Sequence, residues 1–63
     1  MLMSVSQNGL IAISELVRNK AGEIWLHTVR YDGYTSEQAE NLYLENVKEN
    51  GLEIVYDLDE DTL

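Results

Sequence analysis

Residues 10–18 read LIAISELVR, with apolar side chains at both parities: Leu10, Ala12 and Leu16 on one side, Ile11, Ile13 and Val17 on the other. Alternate side chains of a strand point to opposite faces, so this pattern predicts a strand that is apolar on both. Asn8-Gly9 bounds it at the start. Asn19-Lys20-Ala21-Gly22 follows it and predicts a type I turn closing on a glycine with positive φ, a common join between antiparallel strands. Residues 23–31 (EIWLHTVRY) form the expected return strand, with Ile24 and Leu26 on one face and Trp25, Val29 and Tyr31 on the other.

The period then changes. Thr35-Ser36-Glu37-Gln38 predicts a helix start of the capping-box type, in which Thr35 and Gln38 each satisfy the other's backbone N–H. Ala39, Leu42, Tyr43 and Val47 recur at helical spacing as one apolar stripe. Lys48 suits the negative end of the helix dipole, and Gly51 suits the left-handed residue that stops a helix. Residues 52–58 alternate Leu52, Ile54, Tyr56 and Leu58 against Glu53, Val55 and Asp57, a half-buried strand. The order strand, strand, helix, strand predicts a single α+β domain over residues 1–63, with fraying expected at 1–8 and 59–63. Its sheet is expected to be three-stranded and antiparallel with one helix on one face.

A single helix covers only one face of such a sheet. The leftover apolar face, or the free sheet edge, predicts a homodimer. Length points the same way. A chain of 63 residues has a marginal core, since domains near this size bury only ~60% of their unfolded surface. With no cysteine, there is neither a disulfide nor a thiolate metal site to add stability, and association remains.

Charge sharpens the picture. From residue 32 onward ten carboxylates face one base, Lys48; residues 1–31 carry Glu15 and Glu23 against Arg18, Lys20 and Arg30. The two halves contribute −9 and +1 to the net charge of −8. Self-repulsion of this size opposes compaction, so its presence implies a gain in solubility or a positively charged partner. Nucleic acid is disfavoured, because its phosphates would meet the same repulsion. A protein that itself binds nucleic acid fits well. The opening residues lack the basic start of a signal peptide, and no apolar run approaches a membrane span, so the expected location is cytoplasmic.

Catalytic chemistry is sparse, and the chain is read as a non-enzyme without cofactor or metal. His27 stands alone in a strand and reads as a half-buried strand residue. Glu37/Glu40 and Glu45/Glu49 share helix faces at three- and four-residue spacing. They read as a solvated charged face rather than an acid–base pair, since nothing in the pattern buries them. Asp57, Asp59 and Asp61 match the first positions of an EF-hand loop, but the glycine and distal glutamate that such a loop needs do not follow.

Residues 32–43 (DGYTSEQAENLY) resemble the central segment of the small dimeric uracil-DNA glycosylase inhibitors of certain Bacillus phages. That family is similar in size, acidic, and built as strand, strand, helix, strand. Its helix is entered through a glycine and a small hydroxyl residue, as at Gly33 and Thr35. It carries a glutamate followed by leucine and tyrosine, as at Glu40, Leu42 and Tyr43. The hairpin glycine has a counterpart in Gly22. Where the family places an aromatic residue before the glutamate, this chain has Ala39, with Tyr34 or Leu44 as possible replacements.

The resemblance implies a DNA mimic that blocks the groove of a host uracil-DNA glycosylase in an infected bacterial cell. It implies two helices lying together in the dimer, with an apolar pocket between them for the enzyme's intercalating leucine. Glu37, Ala39, Glu40, Tyr43 and Leu44 are the partner-binding residues it implies, with Leu42 serving as structural support. Two other classes fit the charge: another phage-type DNA mimic (anti-restriction, anti-CRISPR or a polymerase inhibitor), and an antitoxin-like domain that neutralises a toxin.

Overall fold

The computed structural model describes residues 1–56. Its elements are β1 (Leu2–Val5), β2 (Ile11–Arg18), β3 (Ile24–Tyr31), α1 (Ser36–Glu49) and β4 (Glu53–Tyr56). They make an α+β fold with one antiparallel sheet and one helix. β2 is the central strand. β3 pairs with it along its whole length, from Ile11 opposite Tyr31 to Arg18 opposite Ile24. The other edge of β2 is shared end to end, with β1 pairing residues 11–14 and β4 pairing residues 16–18.

The two hairpins close alike. Asn19 N–H donates to the Glu23 carbonyl at 3.0 Å and Gly22 N–H to the Asn19 carbonyl at 3.1 Å. Ser6 N–H donates to the Leu10 carbonyl at 2.9 Å and Gly9 N–H to the Ser6 carbonyl at 3.0 Å. Gly9 and Gly22 sit at φ 82° and 87°, where a side chain would be strained, so each glycine permits the bulge that ends its turn. The first hairpin corrects the expectation that residues 1–8 fray. Asn8-Gly9 is a turn, β1 joins the sheet, and the sheet has four strands rather than three.

Helix α1 starts as its sequence predicts. Thr35 Oγ1 accepts from Gln38 N–H at 3.1 Å, and Gln38 Oε1 accepts from Thr35 N–H at 3.0 Å. At its far end Leu52 N–H donates to the Val47 carbonyl at 3.0 Å and Gly51 N–H to the Lys48 carbonyl at 3.1 Å. These two bonds satisfy carbonyls left over by the helix and turn the chain into β4. The final strand was expected to reach residue 58. The expectations for 57–63, including the Asp57/Asp59/Asp61 run, lie outside the described residues.

The helix packs on the face of β2 that carries its odd-numbered residues. Ile11 and Ile13 meet Ala39, Tyr43 and Val47, with Met3, Val29, Tyr31, Leu52 and Ile54 partly buried around them. Glu15 occupies the same row at 1% exposure, on the stretch of β2 between β1 and β4. The Met1 ammonium lies 3.0 Å from its Oε1, although neither carboxylate oxygen has a partner in hydrogen-bond geometry among the described residues.

The opposite face is open. Ile24 and Leu26 are each 53% exposed there, beside a hydrogen bond of 2.8 Å between the Ser14 and Thr28 hydroxyls. Among the described residues no helix is long and apolar enough to cross a membrane.

Candidate protein-binding surface

Three of the five residues implied as partner contacts share the solvent side of α1. Glu37, Glu40 and Leu44 are exposed, at three- and four-residue spacings that make them neighbours on one helix face. The other two are corrected. Ala39 and Tyr43 are 0% exposed and point into the molecule's own core, so in this fold no partner surface includes them. Leu42, expected to be the buried support, is only half-buried. The reason is angular. Ala39, Tyr43 and Val47 lie four residues apart along one line, while Leu42 is rotated about 100° from Tyr43 toward the flank.

Tyr43 is tied down by more than packing. Its hydroxyl donates to the His27 carbonyl at 2.7 Å, and its ring lies 5.7 Å from the His27 ring. His27 Nε2 in turn hydrogen-bonds Asn46 Oδ1 at 2.8 Å. His27 is thus the half-buried strand residue its pattern predicts, and among the described residues it has no nucleophile as a hydrogen-bond partner.

Burial pushes the Tyr43 phenol up to about 12, with the carboxylate of Glu15 adding to the rise. Burial, with a smaller contribution from Tyr34, raises the Tyr31 phenol as well. An unfolded tyrosine ionises near pH 10. The stability that neutral Tyr43 contributes is therefore complete below pH ~10 and is lost as pH climbs through ~12. Thermal melts taken across that window should show a falling midpoint, and Tyr43→Phe should flatten the fall.

The flank that Leu42 faces carries a feature the sequence reading missed. Tyr34, Gln38, Asn41 and Leu42 line a shallow depression of about 300 Å³. A second one, of about 340 Å³, adjoins it along the seam between α1 and β3, where Glu45, Asn46 and Glu49 stand over Val29 and Tyr31. Tyr34 and Leu42 belong to both. The Tyr31 and Tyr34 rings meet edge to face at 6.0 Å. Tyr34, raised as a substitute for the family's missing aromatic, does stand beside Leu42, while Leu44 lies away on the outer helix face.

Beyond the seam Trp25 is 39% exposed. β3 is an edge strand of eight residues, paired among the described residues only with β2. No group of three or more histidine or carboxylate side chains among the described residues is placed to hold a metal ion. Comparison of the chain with protein-family profiles, curated proteins and solved structures finds no match.

Proposed function

We propose that the protein is a small inhibitor that mimics DNA, binding the basic groove of a DNA-processing enzyme through the outer face of α1. The observation that carries this reading is the exposed carboxylate row with Leu44 set among it, on a chain of net charge −8. A groove built to hold phosphates attracts such a surface, and apolar contacts supply the selectivity that charge alone lacks. The helix resemblance points to a uracil-DNA glycosylase as the target. With Ala39 and Tyr43 in the core, the apolar contact that the outer face of α1 offers the enzyme is Leu44.

The same reading includes a homodimer, and two surfaces are open to a second copy. The bare sheet face would put the helices on opposite outer sides. Pairing of two β3 edges would extend the sheet and leave both helices on one side, next to each other. We favour the β3 edge, because it is long and unbulged, with only Arg30 as a charged residue and no proline to protect it. Burial of Tyr43 favours one alternative, a DNA mimic of the same kind aimed at a different basic groove. The antitoxin-like reading gains no particular support from these surfaces.

A uracil-excision assay with the purified chain tests the target. Inhibition should be complete near one dimer per enzyme, and uracil-containing DNA should be excluded from the complex. Light scattering should give about twice the chain mass at micromolar concentration, as a closed pair requires. Full excision in a large molar excess of the protein would reject the glycosylase as target. A folded monomer would reject the paired helices.

A further inference from the structure

The seam between α1 and β3 combines features that no part of the outer helix face has. Its floor is apolar and aromatic, formed by Val29, Tyr31, Tyr34 and Leu42, and one wall carries Glu45 and Glu49. These two carboxylates stand one turn apart on the helix, close enough to repel each other. Neither is in an ion pair among the described residues. Tyr31 lines the same seam; its hydroxyl is enclosed and has no hydrogen-bond partner among the described residues.

We infer that this seam is a binding site for an arginine side chain presented by the partner protein. A guanidinium is planar and weakly hydrated, so it can lie against the Tyr34 ring while its several N–H groups fork between neighbouring carboxylates. An ammonium has neither the flat face nor the fork. A purely apolar side chain would fill the floor but leave Glu45 and Glu49 facing each other. Arginine is also what a phosphate-binding groove supplies. The inference deepens the proposed function by naming what the partner inserts, and it rests on that reading only for the partner's identity.

The site can be tested without any enzyme. Capped Gly-Arg-Gly, its lysine analogue and its citrulline analogue, which keeps the shape without the charge, would each be titrated into the ¹⁵N-labelled protein. The arginine peptide should give saturable amide shifts at Tyr31, Tyr34, Leu42, Glu45 and Glu49, and bind more tightly than lysine, with citrulline inert. Glu45→Gln and Tyr34→Ala should each weaken binding about ten-fold, the scale of one charge-assisted contact. Tyr31→Phe keeps the ring and should weaken it by less. Circular dichroism confirms that each variant is folded.

Equal shifts from citrulline, tighter binding of lysine, or shifts spread equally to Glu23, Glu37 and Glu40 would overturn the site. Arginine binding at the seam with no effect on uracil excision would keep the site and remove only the glycosylase. Inhibition left intact by Glu45→Gln with Glu49→Gln would show that the enzyme does not use it.

Discussion

Tyr43→Ala should unfold most of the protein. The side chain is wholly buried among Ile11, Ile13, Ala39 and Val47, and it is the largest member of that cluster. Truncating a buried aromatic to alanine costs ~3–5 kcal/mol, because the site loses transfer energy and keeps a cavity. A domain of this length holds only roughly 3–9 kcal/mol in total, at the usual contribution per residue. Tyr43→Phe keeps the ring and removes one hydrogen bond to the His27 carbonyl, at a cost of about 1 kcal/mol. Far-ultraviolet melts should therefore rank wild type, Tyr43→Phe and Tyr43→Ala in that order, with the last showing little cooperative transition. An unchanged melt for Tyr43→Ala together with lost partner binding would return Tyr43 to the surface, where the helix resemblance had placed it.

Much of the fold is legible in the sequence because its signals are local. The turn at Asn19 to Gly22, the capping box at Thr35 and the stop at Gly51 each need only a few neighbouring residues, and each is found where expected. β1 was missed although its turn carries the same glycine bulge, at Gly9. Four residues with one serine give almost no period to read, and only pairing with β2 makes them a strand. Glu15 shows the opposite case. Its place between Ile13 and Val17 on the odd-numbered row signals a buried position, and a charge-based reading hides it.

The candidate surface was less legible. An amphipathic stripe tells which side of a helix is apolar but not which of its members sits on the axis of burial. For that reason Tyr43 is wholly buried and Leu42 only half-buried. The seam with Tyr31, Tyr34, Glu45 and Glu49 joins two elements through tertiary packing, and no spacing along the chain announces it. The net charge of −8 favours a basic partner surface without specifying where on the fold the contact lies.

Glu40→Ala and Leu44→Ala should weaken inhibition while leaving the melt nearly unchanged. Both side chains are exposed on α1 and neither joins the buried cluster, so the fold loses little with them. Helix propensity favours alanine at both positions, which offsets what packing the side chains provide. At an interface their loss is felt differently. A desolvated carboxylate facing a basic groove, or an apolar anchor beside it, costs ~2 kcal/mol or more when truncated, about a thirty-fold loss in affinity. The two should also fail in different ways. Glu40→Ala should slow association and flatten its dependence on salt, since a surface charge acts through the screened long-range field. Leu44→Ala should mainly speed dissociation, because a short-range contact acts only after docking. Binding kinetics measured at two salt concentrations separate these effects. Wild-type rates for both variants would move the contact surface off the outer face of α1.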